Sequence, residues 1–314
     1  MRNVATVAPV AMLPAAVVTL DPAVGLERVA ARQSVWWGLV RTARPMQWVK
    51  NLLVFAAPGA AGALGDGPIL GRTVAAFAVF CLAASGAYFL NDAVDYEHDR
   101  RHPTKRRRPV AAGIVPQRAA GAIGVSALLL AVAAGLALGP RFAVAVAAYV
   151  AVNMAYNAGL RREAVLDLAA VASGFVIRAI AGGLATGVAL SEWFLVVVSA
   201  ASLFVVAGKR APVAFDTTTP RVDYPPVFLR YVRLLASGIA LTAYCLWAFD
   251  KTALGQSVWF EVTIVPFALA LLRYALLVEK GEGGSPDEIL LGDRTILVLA
   301  AVWAALFSLG VYGA

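Results

Sequence analysis

The sequence predicts an all-α polytopic membrane protein, nine transmembrane helices around a central cavity, with a cytoplasmic N-terminus. Three observations carry that expectation. The chain has 314 residues, of which 61% are hydrophobic and only 15% charged, and its mean hydropathy is +0.75; no ordinary soluble globule has that balance. Apolar stretches of about 20 residues recur along it, each long enough to cross a hydrocarbon core of about 30 Å. Strict alternation of apolar and polar residues is missing, so these stretches read as helices and not as barrel strands.

Residues 1–34 are rich in Ala, Val and Pro, with Pro9, Pro14 and Pro22, and are expected to form a disordered or loosely membrane-associated extension. A cleaved signal peptide over Val4 to Leu20 is rejected, because it would leave Arg41, Arg44 and Lys50 on the outer side. Residues 35–314 are expected to form a single nine-helix domain. Ser34 to Ala43, with Trp36, Trp37 and Arg41, reads as an interfacial helix. Spans then follow at roughly 47–64, 73–92, 117–139, 141–158, 166–186, 192–208, 230–249, 257–278 and 295–312. The third and fourth are joined by the short turn Leu138-Gly139-Pro140-Arg141. The fifth carries Arg178 on a face of small residues, Gly174, Ala181, Gly182 and Ala185, which permits close helix approach. The sixth ends on Gly208-Lys209-Arg210. Cys81 and Cys245 fall inside spans without metal-ligand spacing and read as packing residues.

Orientation follows from the basic residues. Of the 27 Lys and Arg, all but four fall on the side of the N-terminus and every second loop. Arg72, Arg141 and Lys251 lie opposite, and Arg178 lies inside a span. The net charge of +8 is thus a one-sided cytoplasmic field. It suits topology, anionic lipid and a polyanionic cytosolic substrate. Nucleic acid is excluded as a partner, because no soluble domain or aromatic platform accompanies the charge.

The chemistry concentrates at the end of the second span. Thr73 to Leu90 is almost wholly apolar and runs into Asn91-Asp92-Ala93-Val94-Asp95-Tyr96-Glu97-His98-Asp99, with His102-Pro103-Thr104-Lys105-Arg106-Arg107-Arg108-Pro109 close behind. Taking Asn91 as zero, Asp95 falls at about 40°, Asp99 at about 80° and Asp92 at about 100° around the helix, so the four share one face. Carboxylates this close repel unless a cation lies between them, and hard oxygen ligands favour Mg²⁺. Mg²⁺ held by few carboxylates completes its shell with phosphate oxygens, which points to a diphosphate site. A plain solvated acidic helix end is the bland alternative. The Tyr156-Asn157-Ala158-Gly159-Leu160-Arg161-Arg162 loop and Asp167 form a weaker echo of the cassette. A charge as deep as Arg178 marks either a function or a buried structural partner.

The cassette in its membrane setting resembles the first signature of the UbiA-type intramembrane prenyltransferase superfamily. The form NDxxDxxxDxxHPxKRxRP, together with Arg44-Pro45-x-Gln47-Trp48-x-Lys50-Asn51, the stretch Gly174 to Gly183, Ser191-x-Trp193-Phe194, Gly208-Lys209-Arg210 and Asp287-x-Ile289-x-x-x-Asp293-Arg294, is similar to the decaprenyl-phosphate phosphoribosyltransferase branch. These motifs run from residue 44 to 294. The resemblance implies nine helices around a cavity open to the membrane and a diphosphate bound through Mg²⁺. It implies a cell-wall enzyme that moves 5-phosphoribose from phosphoribosyl diphosphate to decaprenyl phosphate, at the cytoplasmic face of the plasma membrane. Asn91, Asp92, Asp95 and Asp99 would hold the metal, with Asp92, Asp95 and Asp99 catalytic. Asn91, Lys50, Lys105, Tyr156, Arg161, Asp167, Arg178, Lys209 and Arg210 would bind substrate. A homo-oligomer is compatible with this reading. Two departures stand out: the second acidic motif is reduced to Asp167, and Arg161 takes the place of the usual Lys. The competing expectations are prenyl transfer from a polyprenyl diphosphate to an aromatic ring and, less favoured, an ion-coupled transporter. The first calls for a second acidic motif and the second for charges clustered at mid-depth.

Overall fold

The computed structural model describes residues 34–210, 224–255, 257–281, 289 and 292–313; residues 1–33 of the expected 1–34 extension, and Asp287, lie outside them. Among the described residues every regular element is helical. They are α1 (Val35–Ala43), a 3₁₀ segment (Pro45–Phe55), α2 (Ala56–Ala60), α3 (Gly67–Val94), α4 (Tyr96–Arg101), α5 (Gln117–Leu136), α6 (Pro140–Ala158), α7 (Leu166–Thr186), α8 (Glu192–Arg210), α9 (Pro226–Ala253), α10 (Trp259–Val262), α11 (Ile264–Glu279) and α12 (Arg294–Tyr312), with brief 3₁₀ turns between some of them.

Seven helices in the described residues are long and apolar enough to cross a membrane: α3, α5, α7, α8, α9, α10 continued by α11, and α12. The sequence predicts nine, and the other two differ for identifiable reasons. In α6, Asn153, Tyr156 and Asn157 make the last turns polar. The stretch at 47–64 is not one helix but the 3₁₀ segment followed by the five-residue α2. Pro58, Gly59 and Gly62 interrupt it. Irregular backbone at membrane depth survives only where protein surrounds it, and Asn51, Val54, Ala57 and Pro58 are buried.

Two glycines set how closely the elements meet. A Cβ on Gly182 would lie 2.0 Å from the Val54 carbonyl oxygen, so the absence of a side chain lets the 3₁₀ segment rest on α7. A Cβ on Gly124 would lie 2.8 Å from the Leu90 amide nitrogen, where α5 crosses α3. Around these crossings Val54, Ala76, Phe80, Phe142, Val146, Tyr149 and Ala181 form one buried cluster. Phe80 packs edge-on against Phe142 and Tyr149, with ring centroids 6.0 and 5.5 Å away. Sequence signals place the helix starts. Asp66 caps α3 by accepting the Ile69 amide at 3.0 Å, with Pro68 in the first turn. Asp293 caps α12 through the Ile296 amide at 2.9 Å. Arg273 and that amide hold the Asp293 carboxyl below the usual range.

At the α3 start, Arg72 donates to the Ala185 and Leu138 carbonyls at 2.5 and 2.6 Å, satisfying helix-end acceptors of α7 and the turn after α5. The other end of α3 carries the acidic cassette. On α1, Trp36 and Trp37 are 74% and 58% exposed, as an interfacial helix requires.

Candidate active site

The end of α3, the short α4, the start of the 3₁₀ segment and the ends of α6 and α8 bring the charged side chains to one end of the bundle. The four cassette residues divide their arc into two halves. Asp92, 2% exposed, accepts from Arg44 Nη2 at 2.6 Å and from Arg108 Nη1 at 3.3 Å. Asp99, 1% exposed, accepts from Arg108 Nη1 at 2.6 Å. Asn91 and Asp95 turn the other way: Asn157 Nδ2 donates to Asn91 Oδ1 at 2.6 Å, and Arg161 lies 3.5 Å from Asp95 Oδ2. Helical geometry anticipates this order, because the two smaller angles (Asn91, Asp95) and the two larger ones (Asp99, Asp92) each pair off along an arc of about 100°. The single face predicted from sequence is therefore a face with two sets of partners. Among the described residues, no three Asp, Glu, His or Cys side chains gather as a metal cluster; arginines stand between the carboxylates.

Asp167, in the first turn of α7, is the second acidic centre. Arg210 grips it bidentately, with Nε and Nη2 at 2.8 and 2.7 Å from its two oxygens. Tyr156 donates to Asp167 at 3.1 Å and accepts from Arg210 at 3.1 Å. Nearby, Tyr224 Oη accepts the Val165 amide at 3.2 Å, and burial followed by the Asp167 charge pushes its phenol up. The sequence expects Tyr156, Asp167 and Arg210 each to meet substrate; the structure joins them to one another.

Arg178 is buried, and its guanidinium is fully engaged by protein. It donates to Asn51 Oδ1 at 2.7 Å, the Gly174 carbonyl at 2.6 Å and Tyr149 Oη at 2.9 Å, and lies 4.6 Å from the Tyr149 ring centroid. These contacts are the buried structural partners that one of the two sequence readings calls for. Lys50 donates to Gln47 Oε1 within the 3₁₀ segment. Lys105 opens a short turn beside His102, and Lys209 sits with Arg210 in the last turn of α8.

Only two non-glycine residues among those described have left-handed backbone, Arg44 (φ 54) and Val165 (φ 68). One pairs with Asp92 and the other precedes Asp167 by two residues. Strained backbone of this kind persists where surrounding contacts fix it, often at functional sites. Sequence reasoning did not assign Arg44, Arg108, Asn157, Asn51 or Tyr149 to a site. Signals existed for four of them: Arg44 opens the Arg-Pro motif, Asn51 is an amide inside an apolar span, Arg108 lies in the basic run behind the cassette, and Asn157 lies in the loop that echoes it.

Towards the opposite end of the bundle, a cavity of about 590 Å³ opens between the irregular segment, α8, α9, α11 and α12. Leu53, Phe55, Val197, Trp247, Phe267 and Phe307 are among its walls. Two of its polar side chains are paired: Tyr244 Oη lies 2.6 Å from Thr263 Oγ1 and accepts from Trp303 Nε1 at 2.8 Å. Such a wall suits hydrocarbon.

These features define a membrane-embedded, all-helical protein with an acid–arginine site at one end and an apolar cavity towards the other. Residues 52–292 match the UbiA prenyltransferase family, and the chain belongs to it. It is 41% identical to the decaprenyl-phosphate phosphoribosyltransferase of Corynebacterium glutamicum, over 88% of this chain and 87% of that one. It is 43% identical to the enzyme of that name from Mycobacterium tuberculosis, over 85% and 92%. In fold it is similar to a UbiA homologue from Archaeoglobus fulgidus bound to DMAPP and Mg²⁺, with TM-score 0.68, 17% identity and coverage of 87% and 98%.

Proposed function

We propose that this chain transfers 5-phosphoribose from phosphoribosyl diphosphate to decaprenyl phosphate, releasing diphosphate, in the synthesis of a cell-wall arabinan precursor. One observation carries the reading: relatives of 41 to 43% identity, matched over 85 to 88% of the chain, are decaprenyl-phosphate phosphoribosyltransferases. The concentration of basic residues on one side supports a site facing the cytoplasm from the plasma membrane.

The residues fit a divalent cation. The cassette presents oxygen donors only, and Asp95 is held by nothing tighter than a 3.5 Å contact to Arg161. Asn91, Asp92, Asp95 and Asp99 would hold Mg²⁺, with Asp95 and the Asn91 oxygen nearest to open access. The Archaeoglobus homologue was solved with DMAPP or GPP and Mg²⁺, which supports a metal-bound diphosphate here. The chemistry supplied by the bound ion is charge neutralisation on the diphosphate as the C1–O bond breaks.

The chain's own groups do the rest. Arg161, across from Asp95, is placed to meet a diphosphate oxygen. The lipid phosphate is already anionic near neutral pH, so an oxygen of it attacks C1 with no strong base, and C1 inverts as diphosphate departs. Asp167, Tyr156 and Arg210 fix the ends of α6, α7 and α8 around the reacting groups. Part of the polyprenyl chain lies in the apolar cavity, and the remainder extends sideways into lipid.

The test is diphosphate release by purified protein. Release that needs phosphoribosyl diphosphate, decaprenyl phosphate and Mg²⁺ together is the expected result. Release that ignores the lipid, or none from folded protein, rejects the proposal.

A further inference from the structure

The last turns of α6 carry a polar face. At about 100° per residue, Tyr149, Asn153, Tyr156 and Asn157 fall within an arc of about 100°. Two of them form a hydrogen-bonded ladder that leads to the cassette. Asn153 Nδ2 donates to the Tyr149 carbonyl at 2.8 Å, and Asn157 Nδ2 donates to the Asn153 carbonyl at 2.8 Å. Asn157 Nδ2 also donates to Asn91 Oδ1 at 2.6 Å, across 66 positions of sequence. A side-chain amide nitrogen carries two hydrogens, and both are engaged. The ladder thereby fixes which way the Asn157 amide lies. Turned over, its oxygen would face two acceptors, the Asn153 carbonyl and Asn91 Oδ1, with no hydrogen to share.

This is the one side-chain hydrogen bond that Asn91 makes among the described residues. It sets the orientation of Asn91 in turn, because the Asn91 nitrogen would meet Asn157 donor against donor. Arginines hold the other three cassette residues: Arg44 and Arg108 on Asp92, Arg108 on Asp99 and Arg161 beside Asp95. Among the described residues, Asn91 alone of the four is backed by an uncharged group. An uncharged donor steadies the oxygen without adding positive charge that would compete with a cation. The amide oxygen has two lone pairs, so one remains for a cation after Asn157 has used the other.

We infer that Asn157 is a positioning residue for the cassette: it holds the Asn91 side chain in one orientation, with its oxygen fixed as the atom that a divalent cation meets. The inference rests on the reading of the cassette as a Mg²⁺ site. Asn157 does not touch the cation itself. It acts as the outer partners of metal ligands do, by restricting a ligand that has no other hydrogen bond to restrain it. Without it, Asn91 is free to turn about its side-chain bonds and to present nitrogen in place of oxygen.

Metal binding by the purified full chain tests this, measured as Mn²⁺ retained in equilibrium dialysis with inorganic diphosphate present; Mn²⁺ takes the same oxygen ligands as Mg²⁺. Asn157→Ala is expected to weaken retention about tenfold or more, the scale for loss of a group that orients a metal ligand. The Mg²⁺ concentration that half-saturates transfer rises in step. In an Asn91→Ala background the same substitution changes nothing further, because Asn157 acts through Asn91. Asn153→Ala removes the neighbouring rung, leaves the Asn157 bond in place and retains Mn²⁺ as wild type does. A melting curve confirms that each variant is folded. Wild-type retention by folded Asn157→Ala, or a loss that adds in full to that of Asn91→Ala, overturns the role of Asn157 and leaves the metal reading standing. Wild-type protein that retains no Mn²⁺ removes the metal reading, and the inference with it.

Discussion

Arg178 Nε donates to Asn51 Oδ1 at 2.7 Å across 127 positions of sequence, fastening α7 to the irregular segment that begins with Arg44. The two bonds to Tyr149 and the Gly174 carbonyl complete the guanidinium's partners. The segment has no continuous α-helical ladder of its own, so this clasp and the Gly182–Val54 contact hold its register. Asn51→Leu is therefore expected to cost about 1–3 kcal/mol by leaving a buried guanidinium donor unmet. A lowered melting temperature checks it. An unchanged melting temperature with a raised Michaelis constant would instead place Arg178 on substrate.

The close approach at Gly182 predicts a second loss. Any side chain there forces the 3₁₀ segment off α7, since its Cβ would sit 2.0 Å from a carbonyl oxygen. Gly182→Val is expected to destabilise by about 1–3 kcal/mol or more, the range for overpacked cores. Denaturation in detergent measures it; a wild-type curve contradicts the packing.

Much of this architecture is legible in the sequence, because bilayer-length apolar runs announce α3, α5 and α7 to α12. The segment at 47–64 is misread as a helix, since its composition is apolar and its Pro and Gly residues break the helix without making it polar. The cassette is legible because its spacing lies within one helix. Its partners are not: Arg44 meets Asp92 from 48 positions away, and Asn157 meets Asn91 from 66. Pairings of that kind depend on how helices pack, which periodicity does not encode. The same limit explains why Asp167 and Arg210, 43 positions apart, read as two substrate contacts and not as one ion pair.

That pair makes a third prediction. Both side chains are buried, at 5% and 9% exposed. Removing either partner alone strands a buried charge, which costs about 3–5 kcal/mol. Asp167→Asn and Arg210→Met are each expected to lower stability strongly, while the double variant loses less than the sum. A double-mutant cycle on thermal stability reads this; additive losses would show that the pair is not coupled.

Asp95 is the least tightly engaged of the three cassette aspartates. Asp95→Asn keeps the shape and removes the charge, so turnover is expected to fall about 100-fold or more, the scale for loss of one group stabilising charge in a transition state. The melting temperature should hold, because Asp95 is 26% exposed and its one ion pair is long. Near-normal, metal-dependent activity would sink its assignment.

The most direct measurement follows the ribose itself. Purified protein is given Mg²⁺, decaprenyl phosphate and phosphoribosyl diphosphate labelled in the ribose. The expected result is label in the lipid fraction, abolished by EDTA and by Asp95→Asn. Folded wild-type protein that leaves all label in the aqueous phase, yet joins a polyprenyl diphosphate to an aromatic acceptor, would contradict phosphoribosyl transfer and make the chain a prenyltransferase in the stricter sense.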